Sequence, residues 1–163
     1  MKISMTLSPN SINEAIRKLE DYRDGLRDKA KKIAEQLATI GGVNVSVMFS
    51  QAIYDEGNDV SISVEETEDG YAIKASGQTV LFVEFGAGVR YGYGHPQAGD
   101  FGYGPGTYNP SSGNWNNPKG WWYSVGGKQS RHTYGNPPNM AMYNTAKDLR
   151  KEVERIAQEV FRT

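Results

Sequence analysis

The sequence predicts an α+β fold, a small antiparallel sheet with a long N-terminal and a C-terminal amphipathic helix packed on one face. Three observations predict it. Apolar residues recur at steps of three and four along 12–40 and again along 143–160, the spacing of one helix face. Short segments between them alternate apolar and polar residues with period two, the spacing of half-buried strands. The stretch 86–120 interrupts both patterns: it holds ten of the nineteen glycines and, of all Leu, Ile, Val and Phe, only Val89 and Phe101. At 163 residues the chain reads as one domain, 1–163, with 86–120 a long Gly/aromatic-rich loop.

Taken in order, Ile3 to Leu7 is a possible short strand. Ser11 and Glu14 have the S-x-x-E spacing of a capping box, which starts a helix there. Its seam is Ile12, Ile16, Leu19, Tyr22, Leu26, Ala30, Ile33, Leu37 and Ile40, and Gly41-Gly42 supplies the stop. Such a helix is about 42 Å long, comparable with a whole domain of this size, so it bends near Gly25 or projects into an assembly. Val43 to Phe49, Val60 to Val64 and Tyr71 to Ala75 form a meander, the last two joined by a turn at Glu68-Asp69-Gly70. Thr79 to Phe85 is apolar nearly throughout and fits a buried strand or a short helix; helix running into strand is the expectation. Trp121 to Val125 is a final strand. Asn136-Pro137 then caps a second helix whose seam is Tyr143, Ala146, Leu149, Val153, Ile156 and Val160.

The composition excludes whole classes of function. There are no cysteines, so disulfides, thiol nucleophiles and thiolate zinc sites are absent. Net charge is −1, without the basic excess of a general nucleic-acid binder, so no specific nucleic-acid binding is expected. No apolar run approaches a membrane span or a signal-peptide core, which predicts a soluble protein with no membrane partner.

Individual candidates carry little chemistry. Residues 50–77 hold Asp55, Glu56, Asp59, Glu65, Glu66, Glu68 and Asp69 against Lys74 alone. A charged hairpin edge accounts for them better than an acidic docking face, and an EF-hand pattern is missing. His95 and His132 could meet Asp100 or Glu84 at a metal, yet neither has a ligand partner at helical spacing. No G-x-S-x-G elbow and no G-x-x-x-x-G-K-[ST] loop occurs. No enzymatic activity, metal or cofactor is therefore expected.

The loop itself offers aromatic surface on an adaptable backbone, a composition suited to interfaces. Tyr91, Tyr93, Phe101, Tyr103, Tyr108 and Trp115 are the candidate interface residues of an assembly loop. Sugar stacking suits the same rings; base stacking lacks cations beyond Arg90 and Lys119. For Trp121 and Trp122 packing onto their own domain is the simpler expectation. Replacing Tyr91 to Asn117 by a short linker is expected to cost about 1 kcal/mol. Glu84, Phe85, Gly86 and Gly88 read as a structural turn: both glycines permit positive φ and Glu84 can bond backbone amides of the returning loop.

The order of these segments resembles a known family, the tail-completion or head–tail joining proteins of long-tailed bacteriophages, also described as minor tail or neck components. Val83-Glu84-Phe85-Gly86-Ala87-Gly88 is similar to the family's E-F-G-T-G. An aromatic strand (Trp121 to Tyr123), a Thr133-Tyr134-Gly135 step and Pro137 to Ala146 follow, the last like the family's G-x-P-x-x-P-F-M-x-x-A. The resemblance spans nearly the whole chain outside the loop. It implies a non-enzymatic structural virion protein, made in the host bacterial cytoplasm. Such a protein forms a ring of six subunits at the head–tail junction, with connector and tail proteins as partners. Ala87 stands where the family has Thr, and the loop is longer than the family's. The reading from another class is an aromatic-loop carbohydrate- or ligand-binding module.

Overall fold

Three helices and two separate hairpins make up the computed structural model, which describes residues 2–52, 59–91, 94–103, 116–125 and 129–162. The α+β class holds: a long N-terminal helix α1 (Pro9–Ser50) and a C-terminal helix α3 (Ala141–Arg162) pack against each other. Between them in sequence come the strands β1 (Ser61–Thr67) and β2 (Gly70–Ser76), the short helix α2 (Val80–Phe85), and the strands β3 (Trp121–Val125) and β4 (Gln129–Thr133). Among the described residues no helix is long and apolar enough to cross a membrane.

α1 starts earlier and ends later than its sequence signals suggest. Ser8 is the cap, its hydroxyl accepting from the Ser11 amide at 3.4 Å, and Pro9 takes the first helical position, where its missing N–H costs nothing. The Ser11 hydroxyl instead accepts from the Thr6 amide, and Glu14 pairs with Lys18 one turn on, so the capping box does not form. The described residues before Pro9 contain no strand.

Gly41-Gly42 is not a stop, and Val43 to Phe49 is helix, not strand. A Cβ at Gly41 would lie 2.5 Å from Ile73 Cδ1 and 2.7 Å from Leu149 Cδ1; one at Gly42 would lie 2.6 Å from Val64 Cγ2. The two glycines are where α3 and the first hairpin press closest on α1. The following Val-x-Val-x-Val-x-Phe run satisfies both periods in part, and packing selects the helical one. Val45 and Phe49, four apart, are buried, while Val43 and Val47 are exposed.

β1 and β2 pair antiparallel from Ser61 with Ser76 to Thr67 with Gly70, which leaves Glu68-Asp69 as the turn. Ile62, Ile73 and Ala75 face the core, whose buried members are Val45, Phe49, Val83 and Ala141. The expected meander with Val43 to Phe49 is therefore a two-stranded hairpin.

Thr79 to Phe85 resolves as helix without a following strand, and Asp59 prepares its entry. The Asp59 carboxylate accepts from the Thr79 hydroxyl at 2.5 Å and from the amides of Gln78 and Thr79. These bonds, the Thr79 hydroxyl foremost, lower its pKa to about 2.

Trp121 to Val125 is not the final strand, because it pairs antiparallel with β4, Trp121 against Thr133. Nor does Asn136-Pro137 begin the last helix. Residues 136–140 lie against 83–87 instead: Ala87 and Asn136 form a single antiparallel bridge, exchanging both backbone bonds at 2.9 and 3.0 Å, and Asn139 and Met140 donate to the carbonyls of Val83 and Glu84. Only at Ala141, after Met140 at φ 58°, does α3 start.

Candidate functional site

The turn motif and the start of α3 form one hydrogen-bonded unit around Glu84. α2 places this glutamate inward, 4% exposed, and its Oε2 accepts the Met142 amide at 2.9 Å while Oε1 accepts the Tyr143 amide at 3.0 Å. Those are first-turn N–H groups of α3, which helix geometry leaves unpaired, and a carboxylate there also meets the positive end of the helix. The capping acid of α3 is thus supplied by another helix. The expected bonds to the returning loop go to α3 instead.

His95 completes the unit from the glycine-rich segment. Its Nδ1 accepts the Gln97 amide at 3.1 Å, which places the ring N–H on Nε2, 3.2 Å from Glu84 Oε1. The imidazole is 5% exposed and packs on Phe85 at 4.2 Å between centroids and on Tyr143 at 5.4 Å. Glu84 and His95, which sequence alone offered only as conceivable metal partners, are a buried acceptor and its donor.

Gly86 and Gly88 both adopt positive φ, 79° and 80°, as the turn reading requires. A Cβ at Gly86 would strike the Pro138 nitrogen at 2.7 Å, so glycine is also needed for the approach of the 136–140 segment.

The six candidate interface aromatics divide. Tyr91 is exposed. Phe101 and Tyr103 lie on Phe85, with centroids 5.5 and 5.0 Å away, so they cover their own domain; Phe101 remains largely exposed and Tyr103 is half-buried. Tyr93, Tyr108 and Trp115 lie outside the described residues.

A second aromatic group sits on the other hairpin. Trp121 is half-buried, its ring close against Gly88, whereas Trp122 is 68% exposed and meets the edge of His132 at 5.2 Å. His132 in turn contacts Tyr134 at 4.8 Å, and the Arg90 guanidinium lies 4.1 Å over the Tyr134 ring. Trp122, His132, Tyr134 and Arg90 make a continuous surface that sequence reading missed, because β4 is polar at every position and gives no strand signal.

Three acids of the 50–77 stretch, Asp59, Glu65 and Glu66, are occupied at home. Glu66 pairs with Lys31 of α1 at 2.6 Å, and Glu65 pairs with Lys74 across the strands. Asp59 holds the entry to α2, and Asp55 and Glu56 lie outside the described residues. Two open grooves of about 510 Å³ flank α1, one against β1 and one against α3. Neither contains a histidine.

The arrangement defines a small α+β module with paired aromatic surfaces. Compared with models of known families, with curated proteins and with solved structures, the chain matches none.

Proposed function

We propose that the chain is a structural, non-enzymatic virion protein of a tailed bacteriophage. It is a tail-completion or head–tail joining component that assembles into a ring of six and docks onto connector and tail proteins. It is made in the host bacterial cytoplasm and ends at the head–tail junction of the particle.

One observation carries the reading. The two segments most similar to the family's motifs, 83–88 and 137–146, are separated by nearly fifty residues, yet they meet through the Glu84 carboxylate on the amides of Met142 and Tyr143. A motif pair that builds one joint explains why both segments would be kept together in a family. The same geometry supports a non-enzymatic role, since a buried carboxylate holding two amides and an imidazole has no oxygen turned to a substrate. The test is immunoelectron microscopy of phage particles with antibody to the chain: label at the head–tail junction is expected, and label absent from particles contradicts the proposal.

A second reading rests on Trp122. A tryptophan 68% exposed beside His132 and Tyr134 suits a sugar face as well as a protein partner. Binding to immobilised glycans that is lost in Trp122→Ala would favour the carbohydrate-binding module.

A further inference from the structure

The segment before α1 has the pattern of a strand and no strand to pair with. Ile3, Met5 and Leu7 alternate with Lys2, Ser4 and Thr6, yet Met5 is 61% exposed and Leu7 94%. Among the described residues the amides of Ile3, Met5 and Leu7 make no hydrogen bond, whereas the Thr6 amide is bonded to Ser11.

A sheet edge of matching pattern is open elsewhere on the molecule. β1 has β2 on one side and, among the described residues, no strand on the other. The two-residue turn Glu68-Asp69 closes on the pair Thr67 and Gly70, so alternate residues back from Thr67 bond to β2 while Glu66, Val64 and Ile62 turn their N–H and C=O groups outward. Beside that edge lies the groove of about 510 Å³ between α1 and β1, lined by residues of these two elements alone, Val43, Ser46, Val47, Ile62 and Val64 among them. Val43, Val47 and Val64 are exposed. An apolar floor beside a row of unpaired backbone groups is what strand addition requires.

We propose that residues 2–7 of one chain add, antiparallel, to the free edge of β1 in a second copy, with Ile3, Met5 and Leu7 over the groove. Pattern sets the register. Met5 opposite Ile62 places Ile3 against Val64, Leu7 against Val60, Ser4 against Ser63, Thr6 against Ser61 and Lys2 against Glu65. Apolar then meets apolar on the α1 side and polar meets polar on the other, and the backbone groups engaged are the outward ones of β1 and the unbonded amides of the segment. The Thr6 amide, already held by Ser11, is not needed. A parallel order would instead set Leu7 beside Glu66 and carry Lys2 away from Glu65. Glu65 holds Lys74 across the hairpin, and Lys2 adds a second cation beside four acids between 65 and 69.

Lengths identify the occupant as another copy. Ile3 to Leu7 spans about 14 Å and the groove, from Thr39 to Val47, about 12 Å, so the segment fits. Its own groove is out of reach: α1 puts about 45 Å between Pro9 and Thr39, and residues 2–8 extend about 24 Å at most. Donor segment and acceptor groove are different patches of one surface, so the contact is heterologous and repeats head to tail. It does not depend on the virion reading.

Because the chain has no cysteine, introduced cysteines read the register. Ser4 and Ser63 form a pair without backbone bonds, close enough for a disulfide. Under mild oxidation at high concentration, Ser4→Cys mixed with Ser63→Cys is expected to give a linked dimer, whereas each alone, and Ser4→Cys mixed with Ser61→Cys, stays largely single. No linking, or linking through Ser61 as readily as through Ser63, overturns the proposal. Sedimentation equilibrium supplies the second measurement. Removing residues 2–7 leaves the Ser8 cap in place; with unchanged circular dichroism it should weaken self-association about tenfold or more, as should Val47→Glu on the exposed floor. Association that neither change affects overturns the proposal too. A truncated chain that still forms rings would sink this inference and leave the virion reading standing. Chains linked from Ser4→Cys to Ser63→Cys that build only open filaments would do the reverse.

Discussion

Glu84 Oε1 accepts the amide of Tyr143 at 3.0 Å across 59 residues of chain, and Oε2 accepts its neighbour Met142. One buried carboxylate thereby ties α2, the first turn of α3 and, through His95, the start of the glycine-rich segment.

Removing that carboxylate should cost more than an ordinary helix cap. Glu84→Ala leaves two first-turn amides and the His95 N–H without their acceptor in a buried setting, and a loss of about 3 kcal/mol or more is expected. Glu84→Gln keeps one acceptor oxygen and should lose about half of that. Urea denaturation measures both, and a change below about 0.5 kcal/mol for the alanine variant would show that the joint contributes little.

Glycines on α1 should respond to alanine with opposite signs. At Gly25 an added Cβ meets nothing within 4 Å, so Gly25→Ala should stabilise by about 0.5 to 1 kcal/mol through helix propensity. At Gly41 the same atom meets Ile73 and Leu149 at contact-breaking distance, and a net loss of about 1 to 3 kcal/mol is expected. Thermal unfolding of the two variants side by side is the check; stabilisation at both sites would remove the close-packing account of Gly41.

Asp59 makes the protein acid-sensitive in a defined window. Its pKa is lowered to about 2 by the Thr79 hydroxyl and the amides of Gln78 and Thr79, against an unfolded value of about 3.9. A depressed carboxylate contributes fully above the unfolded value and loses that contribution as pH falls through about 4 towards 2. Stability measured by urea at a series of pH values should fall over that interval, and in Asp59→Asn the fall should be shallower. An unchanged slope would mean that Asp59 is not a source of the dependence.

Shortening Tyr91 to Asn117 tests how far the loop belongs to the domain. The sequence suggests a cost of about 1 kcal/mol from closure entropy alone. Because His95, Phe101 and Tyr103 all rest on Phe85, and His95 also donates to Glu84, the expected cost is instead about 3 to 5 kcal/mol. A variant within about 1 kcal/mol of the parent would return the segment to the status of a separable loop.

That both stretches are helices was legible from spacing alone, because a long amphipathic pattern has few alternatives. The buried face of α3, however, runs through Ala141, Thr145, Ile156 and Val160, while Ala146 and Val153 of the expected seam are exposed. The end of α1 was not legible: a glycine pair reads as a stop when its neighbours in space are unknown, and here those neighbours, Ile73, Leu149 and Val64, lie far along the chain. β4 escaped notice because Gln129-Ser130-Arg131-His132-Thr133 has no apolar alternation, its strand state coming from pairing with Trp121 to Val125. The Glu84 turn was visible as glycines flanking an acid. Its partners were hidden, since backbone amides leave no trace in side-chain pattern and Asn136, read as a helix cap, is spent on the bridge to Ala87.

Self-assembly is the property on which the functional reading depends most directly, and electron microscopy of the purified chain at high concentration, with its mass measured in the same solution, tests it. Rings of six subunits are the expected result. Single chains or dimers at every concentration, with glycan binding through Trp122, would contradict the account.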